Sequence, residues 1–351
     1  MQSDYTTFET LRNALKSATP APSARERRIS WVGVGRRLGF ARDRKGQLEV
    51  FLVGEPLVAR DRTVRERLVH ELWQTVGGEP LAADRLRLPD EDHYDAIAAT
   101  ILLELLDKGY ELDRDEAFQR TEPLIALALE QARVENAALT GLAGELLTLA
   151  SIIRLRPESS EFFLDAWQGW TRSSRDFQLG SLGIEVKTST TSASRHHIQG
   201  WYQLERGVAA DGTVETDLHL LSIGIQWLST NSSGATVQSL VKEIASALPA
   251  PRRPGFVAAV RGYGGVGFFI DEDGTAGQVS LRRPFLSTYE RMYDLQDERI
   301  RLPRSVDFAH FTDLVSDSVS FEIELPERVR GDRNPVVGLS ASLSTLLAQS
   351  Q

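Results

Sequence analysis

The chain contains no cysteine, which excludes disulfides, thiolate catalysis and the usual zinc clusters and suits the cytoplasm, where the protein is expected. Long apolar runs are missing as well: no stretch of eighteen apolar residues occurs, so no membrane span is expected. The opening MQSDYTTFETLRNALKS has no basic start followed by an apolar stretch, and no export signal is expected from it. Positive charge is in the minority, with 40 Lys and Arg against 49 Asp and Glu and a net charge of −9. That argues against a surface coated in phosphate-binding charge, while leaving room for a locally positive groove. Lysine itself is scarce, present only as Lys16, Lys45, Lys108, Lys187 and Lys242; arginine carries the rest of the basic charge.

What is present, 351 residues with 41% hydrophobic and 25% charged content, is the make-up of a soluble globular protein of two or three units. Residues 29–34 and 48–53 read as strands about a turn at Asp43–Gly46, which gives Lys45 a solvated loop. Helical periodicity predicts helices over 96–106, 123–134 and 137–155. Strand-like segments follow near 196–204 and 218–228. An amphipathic helix over 236–248 is closed by Pro249 and Pro251, and Val319, Phe321, Ile323 and Leu325 alternate as in a strand. The division expected is an N-terminal α+β region over 1–135, a core over 136–250 and a β-containing C-terminal α+β region over 251–351.

The stretch DFQLGSLGIEVK, residues 176–187, predicts a hairpin turning at Gly180-Ser181. Pairing Leu179 with Leu182 sets Phe177 against Ile184 and Asp176 against Glu185. Phe177, Leu179, Leu182, Ile184 and Val186 then share one face, and Asp176, Glu185 and Lys187 the other. Opposed acids at roughly 5 Å between Cβ atoms must lose a proton, gain a counter-charge or splay into water. A site for one hard cation and a solvated sheet face with Lys187 as partial counter-ion are both open on this pattern. Glu145 lies on or beside the apolar stripe of Leu139, Leu142, Leu146, Leu149 and Ile152, where a glutamate needs a partner or a metal. An ion pair with Arg154 or Arg156 is the alternative there.

Asp176 followed by Glu185-Val186-Lys187 resembles the signature of the PD-(D/E)XK nuclease superfamily. Five stretches are similar to one bacterial family of that superfamily: Gly141-Leu142-Ala143-Gly144-Glu145-Leu146, Ala166-Trp167-Gln168-Gly169, Asp176-Phe177, Ile184-Glu185-Val186-Lys187, and His197-Ile198 leading to Gln203-Leu204. Arg175 stands where the signature has proline. The resemblance implies an α/β fold with a mixed sheet, the restriction-endonuclease-like αβββαβ core. It implies a Mg²⁺-dependent endonuclease acting on DNA, with Mn²⁺ as substitute, in prokaryotic restriction or phage defence. Catalytic residues would be Glu145, Asp176, Glu185, Lys187 and Gln203. Metal ligands would be Glu145, Asp176, Glu185 and the Val186 carbonyl. Other defence-system subunits are the implied partners, a homodimer is compatible, and a non-catalytic subunit binding DNA or protein is the alternative.

Arg172, Arg175, Arg195 and His197 are expected to contact DNA, because bases outnumber acids over residues 170–206. His196 and His197 point oppositely on a strand, so they would not serve one ion. Trp201 and Tyr202 are expected to pack in the core. The glycine-rich runs 33–39 and 262–267 lack a Gly-Lys-Ser/Thr ending and read as turns.

Overall fold

The computed structural model describes residues 7–89, 94–171, 173–209, 212–228, 232–275, 277–315 and 318–349. The chain divides into two compact units, Met1–Glu135 and Asn136–Gln351. In the first, α1 (Phe8–Ser17) precedes β1 (Ser30–Val32), β2 (Leu38–Arg42) and β3 (Leu48–Val53). Then come α2 (Arg62–Arg67), β4 (Leu68–Gln74), β5 (Pro80–Arg87) and α3 (Tyr94–Asp107). The strands form an antiparallel sheet in the order β1-β2-β3-β5-β4. Asp43–Gly46 is the tight connection from β2 to β3, closed by the Gly46 N–H on the Asp43 carbonyl at 3.0 Å, and Lys45 is exposed there. Sequence reasoning overlooked β4 and β5 because Asp84 and Arg85 make β5 look half-polar; both are buried and ion-paired within the unit, Asp84 with Arg114 and Arg85 with Glu49.

The two helices expected over 123–134 and 137–155 are one, α4 (Arg114–Leu155). Pro123 suggested a helix start, since proline suits the first turn. The helix instead starts after Asp113, whose carboxylate accepts the Glu116 N–H at 3.0 Å, and Pro123 lies in its interior. No glycine or proline breaks residues 134–137. This helix holds the window long and apolar enough to cross a bilayer, but 67% of that window is buried, as in a core helix.

The second unit contains α5 (Ser160–Ala166), β6 (Phe177–Leu179), β7 (Leu182–Ser189), β8 (Ser194–Ile198), β9 (Asp217–Trp227) and α6 (Val237–Ala247). It continues with α7 (Arg253–Gly262), β10 (Phe285–Asp294), β11 (Phe321–Leu325), β12 (Val336–Val337) and α8 (Leu339–Gln349). Its main sheet runs β12-β10-β9-β7-β6, with β7 and β9 parallel and the other pairs antiparallel. The succession α4, β6, β7, β9, α6, β10 is the αβββαβ order of a restriction-endonuclease-like core, in a mixed α/β architecture. Its closing strand, β10, comes from beyond residue 250.

Strand β9 explains how the sheet is held. Leu221, Ile223 and Ile225 enter the main core with α4, α6, α7 and α8, while Leu218 and Leu220 enter a second cluster with Tyr293, Ile323 and Leu325. Alternate side chains point to opposite faces, so a strand covered on both sides reads as a nearly continuous apolar run. Strand β8 leaves this sheet and pairs antiparallel with β11. It ends at Ile198, and Trp201–Gln203 form a 3₁₀ turn where a longer strand was expected. Helix α6 matches its expectation closely: Thr236 caps it, accepting the Ser239 N–H at 2.9 Å.

Candidate active site

The hairpin has the expected register, Phe177 with Ile184, Gln178 with Gly183 and Leu179 with Leu182. Gly180 supplies the positive φ of the turn, 61°. Leu182, Ile184 and Val186 face the main core, so Glu185 and Lys187 face the other way. The ladder ends at Phe177, however, and Asp176 is not a paired position opposite Glu185. Its backbone is taken by the segment after α5: the Gln168 N–H donates to the Asp176 carbonyl at 2.8 Å, and Trp167 bridges to Phe177. The Asp176 side chain turns back to β7, where Oδ2 accepts the Val186 N–H at 2.7 Å.

Three carboxyls meet here with one lysine. Glu185 is 3% exposed, accepts from Gln203 Nε2 at 2.9 Å through Oε1, and pairs at that same oxygen with Lys187 Nζ at 2.9 Å. Gln203 in turn accepts the Gln199 N–H at 3.0 Å, so it fixes Glu185. Glu145, also 3% exposed, accepts from Trp167 Nε1 at 2.7 Å and from the Tyr263 hydroxyl, one on each oxygen. The expected alternative for Glu145 is overturned, since Arg154 pairs with Glu243 and Arg156 donates to the Leu347 carbonyl.

The electrostatics follow from this crowding. Burial pushes the Glu145 carboxyl up to about 7, against the bonds from Tyr263 and Trp167, with the Glu185 charge adding to the rise. Burial and the charges of Glu145 and Glu185 push Asp176 well above the carboxylate range. Burial alone would lower the Lys187 ammonium, but Glu185 and Asp176 outweigh it and leave it raised. Burial and the same acids hold the Tyr263 hydroxyl far above its ordinary range, so it remains a donor.

Three glycines let the acid in. A Cβ on Gly169 would lie 1.8 Å from Glu145 Oε2, one on Gly141 would lie 2.9 Å from the Tyr263 hydroxyl, and one on Gly144 would lie 1.9 Å from Thr188 Oγ1. Gly169→Ala must therefore push the Glu145 carboxylate off its donors. We expect it to destabilise the fold by about 1–3 kcal/mol, as overpacking does, read by denaturant unfolding. A melt indistinguishable from wild type would show that Glu145 is free to move.

Other expected residues are placed differently. Arg175 is corrected from a DNA contact to a core residue: it is 2% exposed, donates from Nε and Nη2 to Glu215 at 2.8 and 2.7 Å, and reaches three backbone carbonyls. A buried guanidinium so engaged cannot face a phosphate. Arg195 and His197 are exposed on β8, with Arg195 paired to Glu324 at 2.8 Å. Arg172 lies outside the described residues. His196 points the opposite way to His197, is buried against Ser222 Oγ at 2.7 Å, and burial beside Lys187 pushes its ring down to about 3. Trp201 is half-buried and stacks on Phe308 at 5.2 Å, and Tyr202 is 46% exposed, so neither is the core residue expected. Sequence reasoning missed the two donors on Glu145. Trp167 carried a signal, since a buried indole N–H needs an acceptor; Tyr263 lay in a glycine-rich run read only as a turn.

The donor set can be tested for a divalent ion. Asp176 and Glu185 offer hard carboxylate oxygens. The Val186 carbonyl points toward the same edge as its N–H, which meets Asp176, because both groups of a strand residue face one neighbour. Mg²⁺ needs only one or two carboxylates and keeps its waters, so this set fits. Among the described residues no group of three or more acids or histidines is gathered as a metal cage, and Glu145 has both oxygens on protein donors.

Helix, hairpin, carboxylates and lysine thus come together on one restriction-endonuclease-like sheet. Residues 125–263 match the family model described as "Putative PD-(D/E)XK family member, (DUF4420)", a span that contains Glu145, Asp176, Glu185, Lys187, Trp167 and Tyr263. The resemblance drawn from the sequence motifs is thereby met by an independent match. Neither the curated proteins nor the solved structures give a match to this chain.

Proposed function

We propose that the chain is a divalent-metal-dependent phosphodiesterase that cuts DNA, with Mg²⁺ as its ion and Mn²⁺ as substitute. The observation that carries this reading is the gathering of three interacting carboxyls, Glu145 and Glu185 buried and Asp176 half-buried, beside the Lys187 ammonium, since mere binding of a polyanion has no use for clustered acids. Asp176, Glu185 and the Val186 carbonyl would hold the ion. When bound, it would lower the pKa of a water and offset charge on the phosphate. Lys187, a compact and mobile point charge, would orient the attacking water or meet the charge growing on phosphorus. Gln203 keeps Glu185 in place, and Trp167 with Tyr263 does the same for Glu145. Held in this way, Glu145 would reach the ion through water. Its carboxyl, raised to about 7, suits it to take up a proton at neutral pH.

Restriction or phage defence in the cytoplasm, beside other subunits, is the biological setting that the resemblance supports. One observation favours a second reading, a non-catalytic subunit binding DNA or protein partners: Lys187 closes on Glu185, and no three-acid cage is preformed among the described residues. Titrating Mn²⁺ into the wild type and Asp176→Ala separates the two. At hundredfold excess over Kd, the wild type should gain about 2.7 kcal/mol, or about 5–10 °C in Tm, and Asp176→Ala little. A wild type whose melting ignores the ion would sink the enzymatic reading.

A further inference from the structure

Beside the site lies a cavity of about 570 Å³, walled by Leu164, Trp167, Trp170, Phe256 and Ala259, with Gln168, Thr171 and the ion pair of Arg252 with Asp165 as its polar groups. That size, and an apolar aromatic wall with few polar groups, is the build of a small-molecule pocket. Its position is more telling. Trp167 lines it and also donates to Glu145, and Gln168 lines it while its backbone N–H holds the Asp176 carbonyl at 2.8 Å. Two consecutive residues thus separate the cavity from the carboxylates. Trp170 is 48% exposed, an unusual degree of exposure for an indole. Gln168 Oε1 accepts from Ser173 at 2.9 Å, which fixes the amide and turns its NH₂ donor away from that bond.

We propose that this cavity receives one unpaired nucleobase of the strand being cut, stacked on Trp170 and read at its edge by Gln168 and Thr171. This rests on the phosphodiesterase reading and deepens it. A phosphate at Asp176 and Glu185 carries its nucleoside with it, and the adjoining flat aromatic cavity is the complement of a base. Every base has a π-face, so stacking here tolerates sequence while demanding that the base leave its duplex. The substrate is accordingly single-stranded, or duplex that surrenders a base at the cut.

The test measures binding without cutting, in EDTA, by fluorescence anisotropy of a 12-nucleotide single strand and of the same strand with its bases removed. The full-length wild type should prefer the base-bearing strand by about tenfold or more. Trp170→Ala should lose that preference with the base-free affinity unchanged, and Trp170→Phe should keep most of it. Gly255→Leu provides a second check: Gly255 lines the cavity, and a Cβ there meets nothing within 4 Å, so a larger side chain can start at the cavity wall without a clash at its first atom. It should also lose the preference at unchanged Tm. Equal affinity of the wild type for both strands, or full preference in both Trp170→Ala and Gly255→Leu, would overturn the proposal. Because no metal is present, a chain that shows the preference but never cuts would disprove only the phosphodiesterase. One that cuts with no regard for bases would disprove only the pocket.

Discussion

Lys187→Ala should lower cleavage by about 10²–10³-fold, the cost of removing one group that meets charge in a transition state, while DNA affinity stays within a factor of two or so. The reason lies in what Nζ touches. It is 2.9 Å from Glu185 Oε1 and is the basic group that offsets the acids of the site. Deleting it leaves buried like charges facing one another, so the variant should melt earlier than wild type in EDTA and regain that loss when Mn²⁺ is added. Lys187→Arg should not rescue cleavage, because a planar guanidinium cannot place one compact charge where the ammonium sits. Quench-flow or gel assays of a labelled oligonucleotide read the rate, and differential scanning fluorimetry reads the metal-dependent recovery. Unchanged cleavage in Lys187→Ala would remove the lysine from the mechanism.

The second large effect concerns stability. Arg175→Ala should destabilise the fold by about 3–5 kcal/mol, the loss seen when one member of a buried ion pair is removed. Both partners, Arg175 and Glu215, have side chains 1% exposed, and the truncation would leave a carboxylate in the interior without its bidentate partner. Three backbone carbonyls, those of Ser174, Tyr202 and Glu205, would lose a donor as well. Replacing both partners, as in Arg175→Met with Glu215→Leu, should recover part of the loss, since the desolvated charges then disappear together. Urea unfolding measures all three. If Arg175→Ala instead folded normally and lost DNA affinity, the guanidinium would belong to the interface after all.

Arg175 also shows where the sequence stops being legible. An arginine next to a motif aspartate reads as a phosphate contact, because arginines are seldom fully buried. The partner that reverses this is Glu215, forty positions away, and no local pattern announces it. Tyr263 is hidden for the same reason, at a separation of 118 residues from Glu145. By contrast, the hairpin register was legible because it is local: a Gly-Ser turn and alternating apolar residues leave one pairing that buries them. The Asp176 and Glu185 positions followed, but not the departure of Asp176 from the ladder, which depends on Gln168 claiming its carbonyl. Glu145 was visible as an acid on an apolar stripe. Its two donors, which distinguish a held carboxylate from an ion-paired helix edge, were not.

The glycines at 141 and 144 have a practical consequence. Glycine inside a helix forgoes about 1 kcal/mol relative to alanine, so a propensity-minded engineer scanning α4 would exchange these two first. Here the usual gain reverses sign, because a methyl at 144 collides with Thr188 of β7 and forces helix and sheet apart, while one at 141 meets the Tyr263 hydroxyl that holds Glu145. The fold accepts a weaker helix in return for a closer approach, and attempts to harden this protein against heat should begin elsewhere along the chain.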